Sequence, residues 1–315
     1  MQNRHLICIA LSMLLCVLAA ITGCSPGTPD TGTIRLGYLQ SDLHHLPAFV
    51  ALEKGFFADE GLDVAVGGIF RAGPEQMSAF AAGELDVGYV GLAPAATAAL
   101  NGVADITLLA QVNIEGSAVV CRPDTYSTLA QLRGKTVAIP GHATMQDCLI
   151  QKGLRSAGLL PDMLSLMVLK PPEMLQAMTA SDIDCFIAWE PYPAQAVCTG
   201  AGEIVVRSGD IWKEHPCCVL IASGSFARTR PEDTAKIIQA HRRACSFIAE
   251  HPEDALAIAV RYTGMTHDTI KEAMAHMRYT PDIDREKVGE FAAFLSDLNY
   301  LSPDRGQNRQ LVFFQ

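Results

Sequence analysis

Four histidines stand in loop-like segments of this chain where imidazole could bind a ligand. They are His44, His45, His142 and His215. Met145, Glu190 and Cys217 lie near them in sequence, and imidazole, thiolate, thioether and carboxylate groups are donors that transition metals accept. No C-x₂-C or H-E-x-x-H spacing accompanies these residues, and such spacings make a metal motif specific. The pattern therefore favours hydrogen bonding of a small organic or anionic ligand, with no resident metal; a transition metal or metal chelate is the alternative.

Three further side chains are predicted to contact the ligand. Arg71 is the one base in the loops that follow predicted strands, so it is a candidate clamp for a carboxylate or an oxoanion. Trp189 stands at a strand end and could form a stacking wall. Glu190 is expensive to bury unpaired, so it either faces the ligand or pairs with Arg or Lys. The alternatives are a surface charge for Arg71, a core role for Trp189 and a solvated loop for His44 and His45.

Residues that directly follow predicted strands complete the predicted binding set. They are Ser41, Gly91, Pro94 and Thr144. In open α/β sheets, ligands bind beyond the carboxyl ends of the strands, and the free N–H groups at helix N-termini favour anions. Thr144–Asp147 reads as a capping box, so a helix is expected to begin there. No catalytic residue and no cofactor is predicted.

The elements that position these residues occur twice along the chain. Ile34–Leu39 and Lys135–Ile139 are both β-prone runs followed by a loop and a helix, and their continuations also match. Each half reads as alternating strands and helices, which predicts two α/β lobes with parallel sheets. Residues 231–301 show an almost wholly helical pattern.

The N-terminus indicates export. Arg4 and His5 precede the apolar run Leu6–Ala20, which is shorter than the ~20 residues that cross a bilayer and is typical of a secretory signal. The small residues before Cys24 resemble the bacterial lipobox, in which the cysteine is lipidated. Residues 1–23 are therefore predicted to be a lipoprotein signal peptide and residues 24–33 a flexible tether. An ordinary signal peptide with an incidental cysteine is the alternative.

The charge of the chain argues against two classes of partner, nucleic acid and anionic lipid. The formal net charge is -10, and removing residues 1–23, which contain one base (Arg4) and no acid, changes it from -10 to -11. The remaining chain has no Lys/Arg cluster, so nucleic acid is not expected as a partner. An acidic surface also disfavours adhesion to anionic lipid, which leaves an acyl anchor to hold the protein at a membrane.

The cysteines present a contradiction for an exported protein. After Cys24 the sequence contains Cys121, Cys148, Cys185, Cys198, Cys217, Cys218 and Cys245. Exported proteins usually pair their cysteines, but this number is odd and the adjacent Cys217 and Cys218 fit ordinary disulfide geometry poorly. Most of these cysteines are therefore predicted to be buried, reduced thiols.

Several motifs point to one family. Leu46–Val64 resembles the N-terminal signature of the nitrate/sulfonate/taurine-type solute-binding proteins of ABC importers, a group that also contains thiamine-precursor binders. Ala81–Gly88, Leu132–Ala138 and Ala188–Tyr192 match its later motifs, and the similarity spans roughly residues 34–260. Ser181 departs from the glycine that the family usually has there.

The resemblance implies a type II periplasmic-binding-protein fold, with a ligand trapped in a cleft between two α/β lobes. Residues 34–115 and 225–315 would form lobe 1 with the C-terminal helices, and residues 116–224 would form lobe 2. It further implies an extracytoplasmic, lipid-anchored binding protein that delivers a small solute, anionic or an organic N/S compound, to an ABC permease. Hinge closure of the lobes would report binding to the permease.

Two other function classes, an enzyme and a sensory binding module, compete with the transport receptor. Related folds serve in thiamine-precursor synthesis, but the sequence has no supported Ser/His/Asp arrangement, Gly-rich phosphate loop or paired-carboxylate signature. The cysteine-dense iron-site motif of the precursor synthases is also missing, so an enzyme is not expected. A sensory binding module shares every feature of a transport receptor and stays open.

Overall fold

A computed structural model describes residues 32–302 of the chain. The predicted signal peptide, Cys24 and most of the predicted tether lie outside the described residues. Within residues 32–302, no helix combines the length and the apolar character that crossing a bilayer requires.

The first sheet has six strands, which come from both the N-terminal and the C-terminal parts of the described chain. Its strands are β1 (Ile34–Leu39), β2 (Val64–Phe70), β3 (Val87–Gly91), β4 (Ile106–Glu115), β10 (Pro216–Ser223) and β11 (Met277–Tyr279). Their order across the sheet is β11-β4-β10-β3-β1-β2. β1 is parallel to β2 and β3, whereas β10 is antiparallel to β3 and β4. β3 is buried along its whole length, as expected for a parallel strand covered on both faces.

The second sheet has five strands and comes from one continuous stretch of chain. They are β5 (Ser117–Cys121), β6 (Thr136–Ile139), β7 (Ser165–Val168), β8 (Cys185–Trp189) and β9 (Glu203–Arg207). Their order is β7-β6-β8-β5-β9. β6 is parallel to β7 and β8, and β5 is antiparallel to β8 and β9.

Helices cover both sheets, as the alternating pattern predicts. Up to the end of the second sheet they are α1 (Leu46–Glu53), α2 (Phe56–Asp59), α3 (Gly73–Ala81), α4 (Leu92–Leu100), α5 (Met145–Ser156), α6 (Pro171–Thr179), α7 (Tyr192–Cys198) and α8 (Ser208–Ile211). The C-terminal part adds α9 (Gly224–Thr229), α10 (Pro231–Glu250), α11 (Pro252–Thr263), α12 (His267–Met274) and α13 (Arg285–Asp297). The helical C-terminal pattern is interrupted by β11, which pairs with β4.

The chain passes between the two lobes at two adjacent connections. Gly116 alone separates β4 from β5, with a φ of 89° that favours glycine. The return connection runs from α8 to β10, and the Glu115 N–H donates to the His215 carbonyl oxygen at 3.2 Å. β10, residues 216–223, lies inside the first sheet. The predicted boundary is wrong for these residues, because it placed 116–224 in lobe 2.

The cysteines are partly paired. Cys121 and Cys185 face each other on β5 and β8 and form a disulfide. Among the described residues the other five cysteines are free, and four of these, all but Cys198, are buried. The described part of the chain therefore holds mostly buried thiols, together with one disulfide that the sequence analysis did not specify.

Candidate functional site

A cavity of about 20 Å³ lies between the two lobes. It is formed where β1 and β3 end in the first sheet and where β8 ends in the second, which is the position expected for a ligand site in α/β sheets. Its walls are Leu39, Asp42, His44, Gly73, Gly91, Pro94, Thr144, Met145, Gln146, Trp189, Cys217 and Cys218. Five predicted site residues are among them: His44, Gly91, Pro94, Thr144 and Trp189.

A single 3₁₀ turn places His44 in the cavity wall. The turn spans Leu43–His45 directly after β1, and Asp42 caps it by accepting the His44 N–H at 2.9 Å. The His45 Nδ1 accepts the Leu39 N–H at 3.1 Å, which ties the turn back to the strand. His44 and Asp42 are therefore buried on a rigid loop; their exposed fractions are 0% and 1%.

An irregular strand start brings two adjacent thiols to the same place. Adjacent residues of a regular strand point to opposite faces, which would separate Cys217 from Cys218. The register between β10 and β4 shifts on both sides of Cys218, and such bulges re-aim side chains. Both sulfurs consequently lie near the His44 Nδ1, at 3.5 Å for Cys217 and 3.6 Å for Cys218.

The remaining nitrogen of His44 fixes the orientation of the ring. Nε2 lies 2.8 Å from the carbonyl oxygen of Gly116, and since a carbonyl only accepts, Nε2 carries a hydrogen. Nδ1 therefore faces the two sulfurs, and it lies 3.6 Å from an Asp42 carboxylate oxygen. His44, Cys217 and Cys218 offer donor atoms that all lie within 4.8 Å of one another; we call these three residues the Cys-Cys-His cluster.

Burial and mutual charge decide the protonation of this cluster. Burial lowers the pKa of His44, but Cys217 and Asp42 raise it more, to about 9. Burial raises the pKa of Cys217, but the hydrogen bond with Cys218 and the charge of His44 lower it well below its usual value. The pKa of Cys218 is raised well above normal by burial and by the neighbouring Cys217. Both directions favour the charged forms of the pair, a thiolate at Cys217 beside a protonated His44.

Asp42 has a different electrostatic role. Burial raises the pKa of its carboxyl to about 7, although His44 and the hydrogen bond from the His44 N–H oppose the shift. Burial therefore makes the anionic form of Asp42 costly, because its charge is removed from water. A cation bound nearby would offset this cost.

The second lobe supplies the opposite wall. Thr144 caps α5, with its hydroxyl oxygen accepting the Asp147 N–H at 3.3 Å, so the predicted helix start is present. Met145 crosses to the first lobe, where its sulfur accepts the Ala93 N–H at 3.2 Å. The Trp189 indole N–H is buried and has no hydrogen-bond partner among the described residues. α4 and α5 both begin at this cavity, which adds two partly positive helix N-termini.

The family model described as the NMT1-like family matches residues 27–262, which is well over half of the chain. The chain belongs to the NMT1-like family. The family predicted from the motifs is thereby confirmed.

Individual relatives share about a quarter of their aligned residues with this NMT1-like protein. A Brucella abortus protein with the general name of binding protein is 25% identical over 257 residues, which cover 81% of this chain and 77% of that protein. The taurine-binding periplasmic protein of Escherichia coli is 27% identical over 59% of this chain and 58% of its own length.

A solved structure supports the fold. The ligand-binding component of an ABC-type import system from Staphylococcus aureus, determined with zinc bound, has a TM-score of 0.78 and 18% identity. The match covers 90% of this chain and 96% of the other. The predicted periplasmic-binding-protein fold is confirmed.

Three predicted contacts of this NMT1-like protein lie away from the cavity wall. The exposed Arg71 donates its backbone N–H to Glu75 at 2.9 Å. The His142 side chain is 64% exposed, with Nδ1 3.8 Å from Asp147. Ser41 donates its hydroxyl hydrogen to the Thr263 carbonyl oxygen at 3.1 Å. Each follows a strand as predicted, but the loop turns its side chain elsewhere.

The other predicted residues that do not line the cavity are buried. His45 supports the turn as described above. Burial lowers the pKa of His215, whose Nδ1 donates to the Pro216 carbonyl oxygen at 3.1 Å. Glu190 accepts the Ala194 N–H at 3.0 Å and lies 3.4 Å from Arg207, so the neutralising partner that its burial demanded is Arg207. Burial raises the pKa of Glu190 to about 7.

Sequence reasoning missed part of the wall. The missed residues are Leu39, Asp42, Gly73, Met145, Gln146, Cys217 and Cys218. In the sequence, Met145 and Cys217 qualify only as possible metal donors, and the adjacent Cys217 and Cys218 are predicted to be buried, reduced thiols. The adjacency of two cysteines next to a strand start was the one signal that could have identified them.

A larger groove is a weaker candidate. It has a volume of about 530 Å³ beside the inter-lobe connections and includes Glu115, Arg207, Glu214 and Arg278. Its charges already compensate one another, since Glu214 pairs with Lys287 at 2.9 Å and with Arg278 at 3.7 Å. We therefore assign the candidate site to the cavity at the strand ends.

Proposed function

We propose that this protein is the extracytoplasmic substrate-binding component of an ABC importer, which binds a small solute between its lobes and presents it to a permease. The observation that carries the proposal is that both lobes contribute walls to one cavity. A solute that touches both walls binds the closed form better than the open one, and therefore shifts the lobes towards closure.

The present arrangement of the lobes is closed. The Leu43 N–H donates to the Glu190 carbonyl oxygen at 3.1 Å, and Lys170 lies 3.1 Å from Glu75; both contacts join the two lobes. A cavity of about 20 Å³ is near the minimum that holds one water molecule. An organic solute can therefore enter and be held only when the lobes separate.

The solute class predicted from the sequence, an anion or an N/S-containing organic compound, has two supports. The helix N-termini of α4 and α5 are hydrogen-bond donors, and so is the Trp189 N–H, which has no partner in the described part of the chain; such donors suit an anion. The taurine-binding relative carries a ligand of this class.

The protein is proposed to be a lipoprotein anchored through Cys24. The support is the apolar run that ends at the lipobox-like Ile21–Cys24. The disulfide between Cys121 and Cys185 is typical of an oxidising, extracytoplasmic compartment. Membrane fractionation tests the anchor: Cys24→Ser should release the protein or leave it unprocessed, and retention in membranes at the mature mass contradicts it.

A non-enzymatic role is proposed as well, although Cys217, His44 and Asp42 are the residue types of a nucleophilic triad. In such a triad the base uses one ring nitrogen for the nucleophile and the other for the carboxylate. Here Nε2 of His44 is bound to Gly116, while Cys217 and Asp42 both lie on the Nδ1 side. The arrangement therefore lacks the relay geometry.

Thermal unfolding and small-angle X-ray scattering test the receptor function. Taurine, alkanesulfonates and nitrate are added to the purified protein. A ligand at a hundredfold excess over Kd raises the free energy of unfolding by about 2.7 kcal/mol, and closure reduces the radius of gyration. Trp189→Ala should weaken the response, whereas Arg71→Gln, outside the cavity, should not. A solute that saturates the protein without changing its scattering profile refutes closure.

A further inference from the structure

We infer that His44, Cys217 and Cys218, with Asp42 as fourth ligand, form a binding site for one thiophilic metal ion of the Zn(II) type in the wall of the cavity. The inference deepens the proposed function and rests on it in one respect: the ion reaches this buried cluster when the lobes separate.

The distances match tetrahedral coordination. With metal–sulfur and metal–nitrogen bonds of about 2.3 Å and 2.0 Å, a tetrahedral ion holds nitrogen and sulfur about 3.5 Å apart. The His44 Nδ1 lies 3.5 Å from the Cys217 sulfur and 3.6 Å from the Cys218 sulfur. Closing the cluster on an ion would therefore need little movement of the three side chains.

The hydrogen bonding of the ring fits a ligand rather than a core histidine. Metal-bound histidines usually donate their second N–H to a carbonyl or carboxylate, which fixes the coordinating nitrogen. His44 does this through Nε2 and Gly116 at 2.8 Å. Nδ1 can share a single proton with one sulfur, whereas two sulfurs converge on it. A single ion bonded to all three atoms satisfies them together.

Asp42 is the better fourth ligand and His45 is excluded. Asp42, His45 and Cys218 also place donor atoms within 4.8 Å of one another. The His45 Nδ1, however, accepts the Leu39 N–H, so the neutral ring carries its hydrogen on Nε2 and has no lone pair for an ion. That buried Nε2–H has no hydrogen-bond partner within residues 32–302 and lies 3.7 Å from Asp42, where it can support the carboxylate.

Charge and size select the ion. Thiolates favour Zn(II) and Cu(I) over Mg²⁺, Ca²⁺ and Mn²⁺. Two thiolates, the Asp42 carboxylate and a divalent ion sum to a charge of about -1, which suits a fully buried site better than the charge of about -2 that a monovalent ion would leave. The cavity of about 20 Å³ beside the cluster accommodates an ion or a water molecule without opening.

The chain contains a matched control. The Cys245 sulfur lies 3.6 Å from the His241 Nε2, and both residues are buried. Both nitrogens of His241 are already committed, to Tyr89 at 3.1 Å and to Gln111 at 2.8 Å, and only one thiol is present. This pair has the same residue types and a similar distance but no vacant donor set.

The experiment uses the purified full chain, treated with EDTA and then with a phosphine reductant under nitrogen. Zn(II) is titrated in competition with a chromophoric chelator, and Co(II) is added separately as a spectroscopic probe. We expect one Zn(II) per protein and thiolate-to-cobalt charge-transfer absorption. Because loss of a supporting residue alone lowers metal affinity about 10–100-fold, Cys217→Ala and Cys218→Ala should each lower Zn(II) affinity by at least ~100-fold and roughly halve the cobalt absorption. Cys245→Ala should change neither.

Circular dichroism and the thermal midpoint establish that each variant is folded. Zn(II) affinity that survives both Cys217→Ala and Cys218→Ala overturns the site, as does binding of Cu(I) without binding of Zn(II). Scattering with taurine and with Zn(II) separates the two proposals. If taurine compacts the protein but Zn(II) does not bind, the metal site is overturned and the receptor function is kept. If Zn(II) binds but neither taurine nor Zn(II) compacts the protein, the metal site is supported and the result counts against the receptor function.

Discussion

Lowering the pH should destabilise this protein through one identifiable histidine. His241 is fully buried; its Nε2 donates to the Gln111 carbonyl oxygen, and its Nδ1 accepts from the Tyr89 hydroxyl. Burial lowers the pKa of His241 to about 4 from an ordinary 6.5, although the bond to Gln111 raises it in part. The folded protein therefore keeps the ring neutral where an unfolded chain would protonate it.

The sign and size of the effect follow by linkage. As the pH falls from about 6.5 towards about 4, the unfolded state binds a proton that the folded state does not, so the free energy of unfolding decreases. One pKa unit corresponds to about 1.4 kcal/mol, so the full effect at low pH is about 3 kcal/mol. Between pH 7 and pH 4.5 His241 should account for about 2 kcal/mol.

Urea unfolding of wild type and His241→Gln at these two pH values isolates this contribution. The variant loses hydrogen bonds and should be less stable at pH 7 by about 1–3 kcal/mol, but its stability should fall by about 2 kcal/mol less on acidification. His251→Gln is the control, because the His251 side chain is exposed rather than buried. If wild type and His241→Gln lose stability in parallel, the assignment of acid sensitivity to His241 is refuted.

Two other substitutions test the backbone and the disulfide. Gly116→Ala should lower the free energy of unfolding by about 3 kcal/mol and disturb ligand binding in the cavity, because the added Cβ would lie 2.3 Å from the His44 Nε2 at a φ of +89°. Gly134→Ala, at a φ of +74° with nothing within 4 Å, should lose only about 1 kcal/mol; equal losses in denaturant unfolding would contradict the ring contact. The disulfide bridges a sequence separation of 64 residues. Removing it with the double substitution Cys121→Ala and Cys185→Ala should lower the free energy of unfolding by about 4 kcal/mol; an unchanged unfolding midpoint would contradict this.

The local elements could be predicted because neighbouring residues decide them. The run Ile34–Leu39 is the first strand as predicted, and Thr144 caps the helix that was expected to begin there. The doubled pattern of strands and helices likewise identified two α/β lobes and, through the motifs, the family. These features depend on periodicity and caps, which a single sequence contains.

The binding wall could be predicted only in part because distant segments form it. His44 and Cys217 are separated by 173 positions, and their contact depends on β10 entering the first sheet between β3 and β4. The convergence of Cys217 and Cys218 on one nitrogen depends further on register shifts that no alternation of residue types reveals. His142 was predicted to contact the ligand but does not line the cavity. It lies in a loop that follows a strand, as expected, yet its side chain points into solvent.

The position of β10 also affects how the chain would fold during export. A chain that emerges N-terminus first completes all five strands of the second sheet, which ends at Arg207, before Pro216–Ser223 appears. β3 and β4 are not neighbours without β10, so the first sheet stays divided until that late strand is inserted between them. Domains fold as units while the chain emerges, so we expect the inserted lobe to mature first. The Cys-Cys-His cluster would then form last, together with the closing strand of the sheet that contains it.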